Sequence, residues 1–226
     1  MPIPVKNVEV KRQSAKTRIF NTLREWIAYG TLKPGEKLND QEISDYFEVS
    51  RTPVREAIQM LEAQKLVVVY PNRATCVTEV DFDHLEKWYL PLAYIHALAA
   101  QFAAAVITKE QVEELREIES RIKEFLEQRD TINTLRADLL LHKRILDIAD
   151  NEILSDFSDT LMLHVQRIEY IFFERSGMNA ANFTTHEDVL EALENRDEKR
   201  AFDAMFQNWL TILNSPDKLV QIKNEK

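Results

Sequence analysis

Apolar side chains at Ile19, Leu23, Trp26 and Ile27 recur at helical spacing, and Gly30 follows as a C-terminal stop. The segment TLKPGEKL then reads as a turn, after which Asp40 can cap a short helix with an apolar face of Ile43, Tyr46 and Phe47. Ser50 is a suitable N-cap for a third helix. Pro53 falls in its first turn, where a missing N–H does no harm, and Val54, Ala57, Ile58 and Leu61 line one side. The β-branched run over residues 66–70, the turn PNRA and a second short run over 75–80 predict a hairpin. Three helices and a hairpin make a winged helix-turn-helix over residues 1–80.

From residue 81 onward the pattern holds only capped helical periods. Asp81 or Asp83 opens one that runs to about Ala105, with a kink expected at Pro91. Thr108 with Gln111 forms a capping box for a second, to about Gln128. Further helices are expected over residues 131–149 and 152–174, then one capped by Thr184 with Glu187 and one capped by Asp197 that ends before Pro216. The fold class is therefore mostly α: an N-terminal winged helix-turn-helix, and a C-terminal antiparallel all-helical bundle over residues 81–226.

Charge sharpens this division. The chain carries a formal net charge of -9. Residues 1–80 hold 12 Lys and Arg against 10 Asp and Glu, and the remainder 17 against 28, so the acid belongs to the second part. The single cysteine, Cys76, cannot form an internal disulfide, and no apolar run is long enough for a membrane span. A cytoplasmic protein with no membrane partner is expected.

On the third helix Arg51, Arg55 and Gln59 stand at i, i+4 and i+8, opposite the apolar stripe, so they can enter a groove together. Arginine's planar fork suits guanine edges and phosphates, and the hydroxyls of Ser50 and Thr52 suit phosphate oxygens. The run YGTLKPGEKLNDQEISDYFEVSRTPVREAIQMLEAQKLVVVYPNRATCV resembles the DNA-binding domain of the GntR family, above all in VSRTPVREAI. The resemblance implies that Arg51, Thr52 and Arg55 meet an operator with help from Gln41, and that Asn72 and Arg73 sit at the wing tip near the minor groove. Glu48, Lys65 and Ala74 stand where that family usually has glycine.

The helical body looks like the FCD effector domain of the FadR-type branch. That family's metal motif is an Asp and a His four residues apart, then one His on each of two later helices. Asp138 and His142 match the pair, His186 matches the third ligand, and Asn208 stands at the fourth. On helical spacing alone, Asp138 and His142 share a face with Leu135 and Ile145, while His186 shares a stripe with Val189, Leu190 and Leu193, and Asn208 one with Met205 and Ile212. Buried there, they need partners. A divalent metal (zinc, nickel or manganese) would satisfy them, and so would mutual hydrogen bonds. His96 and His164 are alternative ligands.

The family's Arg-x-x-Leu-Glu is replaced here by Leu92-Ala93-Tyr94-Ile95-His96. Arg167, Tyr170, Tyr94 and Asn208 are candidate contacts for a small-molecule effector, for which the resemblance suggests a carboxylic acid. The function this implies is a ligand-responsive regulator, a repressor by expectation, binding a palindromic double-stranded operator as a homodimer. The alternatives are a metal-dependent enzyme using Asp138, His142 and His186, and a winged helix serving only as a protein-interaction module. The chain lacks a nucleophile elbow, a Gly-rich phosphate loop and an HExxH pair, which disfavours the enzyme.

Overall fold

The computed structural model describes residues 14–70, 74–176 and 186–213. The chain divides into two compact units, Met1–Glu79 and Val80–Lys226.

In the first unit, α1 (Ala15–Ala28), α2 (Asp40–Phe47) and α3 (Arg51–Ala63) enclose a core of Ile19, Leu23, Ile27, Val54, Ile58 and Leu61. The cap of α2 is Asn39, not the expected Asp40. Its extended backbone lets the side-chain oxygen accept from the Gln41 N–H, which leaves the Asp40 carboxylate free to act elsewhere. The wing also differs from expectation. Residues Lys37–Leu38, read as part of a turn, form a short strand β1, and β3 (Thr75–Val77) lies between it and β2 (Val67–Val69), antiparallel to both. Two residues are too short a stretch to show a period of two. Only their pairing with the wing makes them a strand.

Two positions where the resembling family uses glycine keep left-handed backbone here: Glu48 at φ 54° and Lys65 at φ 59°. Lys65 directly follows the last residue of α3's cap, and the Leu66 N–H donates to the Leu61 carbonyl at 3.0 Å, the six-to-one bond of a Schellman ending. A β-carbon there is strained by roughly 1–2 kcal/mol, partly offset because glycine loses more entropy on folding. Lys65 is exposed, so removing its side chain forfeits little packing. Lys65→Gly is therefore expected to stabilise the protein by about 0.5–1 kcal/mol, read as a higher denaturant midpoint at unchanged slope. An equal or lower midpoint would show that the strain is relieved in some other way.

The second unit contains α4 (Glu86–Val106), α5 (Lys109–Glu127), α6 (Thr131–Ala149), α7 (Glu152–Ser176), α8 (Glu187–Glu194) and α9 (Glu198–Leu210). Helix α4 starts later than expected, because the Asp81 carboxylate closes a turn on the Asp83 N–H instead of capping a helix. Pro91 does lie within it. The Thr108–Gln111 capping box forms reciprocally, and Asp197 caps α9. Thr184 lies outside the described residues, and His186 takes the N-cap position of α8.

Helix α4 is central. It packs on α9, α6 and α7, while α5 packs on α6 and α8. By length and composition α4 could cross a membrane, but half of that stretch is buried inside the bundle, as a core helix would be. Leu92, Ala93, Ala97, Ala100 and Ala104 supply its inner face, small enough for close helix approach.

Candidate functional sites

The candidate DNA-reading face of the first unit is built by α2 and α3. Arg51, Thr52, Arg55 and Gln59 are exposed along α3, and Ser50 occupies the N-cap with extended backbone and no side-chain cap bond. Gln41 joins them. Its Oε1 accepts from Arg51 Nε at 2.8 Å and from Arg51 Nη2, while its own Nε2 donates to Asp45 Oδ1 at 2.7 Å. Arg55 Nε donates to Asp40 Oδ2 at 3.0 Å. Both guanidinium groups are thus tethered from α2 with donors left over. Asn72 and Arg73 lie outside the described residues.

In the second unit the structure brings Asp138 and His142 of α6 together with His186, all three buried, with ligand atoms within 4.8 Å of one another. His186 Nε2 lies 3.2 Å from Asp138 Oδ1, and His142 Nε2 lies 3.8 Å from Asp138 Oδ2. Three ligands held at about 2.0–2.2 Å from one ion would stand about 3.0–3.5 Å apart, so small adjustments would suffice. On its other side His186 Nδ1 meets Glu119 Oε2 at 2.8 Å. A carboxylate on the far nitrogen fixes which nitrogen faces inward, as metal-binding imidazoles require. Lys123 holds the other Glu119 oxygen at 3.7 Å.

Electrostatics separate the imidazoles. Burial alone would lower His186, but its hydrogen bonds to Asp138 and Glu119 outweigh that and hold it up at about 9. Burial pushes His142 well below its ordinary value, against the pull of Asp138, and pushes His96 down to about 3. Burial, with Asp138 nearby, drives the Glu169 carboxyl well above its usual range. Two carboxylates, Asp138 and Glu119, flank His186 from its two sides, an arrangement that suits a cation. The residues present fit a divalent metal.

Beside Asp138, His142 and His186 lies a ring of aromatic and imidazole groups centred on Trp209. Its ring centroid is 4.3 Å from that of His142, 5.1 Å from His96 and 6.4 Å from Tyr89. His96 Nε2 is paired with Ser158 Oγ at 2.7 Å. Four buried polar atoms in this ring lack a hydrogen-bond partner: Tyr89 Oη, His96 Nδ1, His142 Nδ1 and Trp209 Nε1. The Tyr89 hydroxyl feels the Glu169 carboxyl, yet no bond of normal geometry joins them. Each such orphan costs about 1–3 kcal/mol, and four together would rival the whole stability of an ordinary domain. Water or a ligand within the ring would satisfy them.

Other expected site residues lie on α4, α7 and α9. Tyr94 is 54% exposed and packs on Phe206, so it is not part of this ring. His164 stacks on Trp88 at 3.8 Å and is not part of the Asp138–His142–His186 cluster. Arg167 is buried and Tyr170 half-buried on α7. Asn208 is half-buried and lines an open cleft with Asp188, Asp197 and Arg200, whereas its neighbour Trp209 covers His142. Glu119, Tyr89, Ser158, Glu169 and Trp209 are the residues sequence reasoning missed. Glu119 had left a signal, an acid within the apolar stripe of Val112, Leu115, Ile122 and Leu126.

Comparison with known proteins accords with both units. Bacterial regulatory proteins of the gntR family match residues 15–77, and the FCD domain matches residues 92–209, just over half of the chain. The chain belongs to the GntR family. The HTH-type transcriptional repressor RspR of Escherichia coli (strain K12) is 27% identical to this GntR regulator over 209 residues, covering 92% of each chain. The Uxu operon regulator of Haemophilus influenzae is 29% identical over 226 residues, covering 90% of this chain and 82% of that one. Among solved structures, E. coli McbR/YncC shares the fold with a TM-score of 0.80 at 22% identity, over 94% of this chain and 100% of that one. This GntR-family protein is a DNA-binding transcription regulator with an FCD domain, not an enzyme.

Proposed function

We propose that this regulator is a repressor that binds a palindromic operator as a homodimer and responds to a small acid taken up beside a divalent metal in its helical unit. The observation that carries the DNA part is the pair of exposed arginines on α3, each tethered from α2. The name of RspR supports repression. A protein-interaction role would give no reason for two presented guanidinium forks.

Asp138, His142 and His186 would hold the metal, which supplies a Lewis-acidic anchor for a carboxylate. Tyr89, His96 and Trp209 take the polar remainder of the effector, because their rings lie together and each carries an unpaired buried polar atom. Trp209 offers a donor, and the neutral imidazoles offer a donor or an acceptor according to tautomer.

The homodimer rests on α4. Leu90, Tyr94, Phe102 and Val106 are exposed along it at multiples of four residues, an apolar row on the outside of an otherwise core helix. A second copy of this chain would cover that row. Wild-type protein should sediment as a dimer at micromolar concentration, and Tyr94→Asp with Phe102→Asp should weaken dimerisation at least about tenfold, since two buried charges would face each other across the seam. A double variant that sediments as wild type would place the seam on another face.

Titration of a chelated sample with the same acids that relieve operator binding in the metal-loaded protein tests the effector part. Relief that survives removal of the metal would separate the effector from Asp138, His142 and His186.

A further inference from the structure

We infer that Asp40 is a positioning residue that sets the sequence discrimination of α3 by holding Arg55. The inference rests on the DNA-reading role of α3 and adds to it a residue with no base contact of its own.

Asp40 opens α2 without capping it, since Asn39 does that, and its half-buried carboxylate receives Arg55 Nε at 3.0 Å. An exposed ion pair of this kind adds little to folding stability. Its consequence lies in the geometry of the guanidinium. Arginine has five N–H donors in a planar fork. With Nε committed to Asp40, Arg55 keeps both terminal nitrogens, and that end of the fork matches the two acceptors of a guanine edge. Held this way, the side chain loses less freedom when DNA arrives, and a fork already aimed at one base edge is poorly placed for others.

Arg51 differs. It gives both Nε and Nη2 to Gln41, so it retains one free terminal nitrogen unless Gln41 releases it. Arg55 is therefore the better prepared guanine reader of the two. A carboxylate beside the reading face also repels phosphate on every DNA sequence alike. Asp40 thus lowers affinity for all DNA while favouring the sequence that Arg55 reads. The net effect is on the ratio.

The test uses the full-length protein, a duplex enriched from a randomised pool by wild-type protein, and a shuffled duplex of equal length, at one fixed salt concentration. Asp40→Ala should bind the shuffled duplex more tightly than wild type does, and its preference for the enriched duplex should fall about tenfold. Asp40→Asn removes the charge but keeps an acceptor oxygen for Arg55 Nε. It should bind the shuffled duplex as tightly as Asp40→Ala does, and retain most of the preference. In an Arg55→Ala background, Asp40→Ala should have no further effect on the preference.

If wild type discriminates but neither Asp40 variant changes the ratio, Asp40 acts only through its charge and the inference is overturned. A wild type that enriches nothing would overturn it together with the reading of α3. Far-ultraviolet circular dichroism checks that α2 persists, as the cap by Asn39 predicts.

Discussion

Arg55→Ala is expected to abolish detectable discrimination between operator and competitor DNA while leaving the protein folded, and Arg51→Ala to weaken operator binding strongly. Both side chains project from the exposed side of α3, whose inner side is fixed by Val54, Ala57, Ile58 and Leu61. Truncation therefore costs no core packing. Loss of one bidentate base contact is worth about 1–3 kcal/mol, roughly ten- to hundredfold in affinity, and a dimer loses it twice. Titration at fixed salt measures this, with thermal melting as the control for folding. Wild-type affinity in both variants would mean that another face of the first unit meets DNA.

Metal removal is the second large effect expected. A metal bound only to the folded state stabilises it by about 2.7 kcal/mol when free metal is a hundredfold above its dissociation constant, roughly 5–10 °C for a domain of this size. Chelation should remove that increment from wild type, and Asp138→Ala should abolish it without chelation. The pH dependence has a definite sign. With no metal, the folded value of about 9 for His186 lies above its ordinary 6.5, so its ion pairs stabilise fully below 6.5 and are lost as pH rises towards 9. His96 works in the opposite direction: its folded value of about 3 lies below 6.5, so its contribution is present above 6.5 and fades as pH falls. Stripped protein should thus be most stable near neutral pH. Metal must displace the His186 proton, so its affinity should rise about tenfold per pH unit up to about 9. A melting temperature indifferent to both chelator and zinc, nickel or manganese would leave Asp138, His142 and His186 as a hydrogen-bonded cluster alone.

Features set by local chemistry were legible in the sequence. The reading helix is one, since Ser50, Pro53 and the apolar stripe over Val54–Leu61 specify where it starts and which side it buries. Asp138 and His142 are another, because a spacing of four puts two side chains on one face whatever the rest of the chain does. Features that depend on contacts between distant segments were not legible. Strand β1 exists through its pairing with Cys76 and Thr75. Glu119 shows an acid in an apolar stripe, but nothing local says that it meets His186, 67 residues away. On α9 the difference between Asn208 and Trp209 is one residue, about 100° around the helix, and the register of α9 against α4, on which it packs, decides which of them reaches His142. Tyr94 and Tyr89 differ likewise: both lie on α4, and only the packing of neighbouring helices determines that Tyr89 turns inward and Tyr94 outward.

Enrichment of operator DNA from a randomised pool by the purified full-length protein reports sequence reading and symmetry at once. An inverted repeat is expected, with a guanine in each half-site whose preference disappears in Arg55→Ala. A pool that remains random, or a single asymmetric site bound by one copy of the chain, would contradict it.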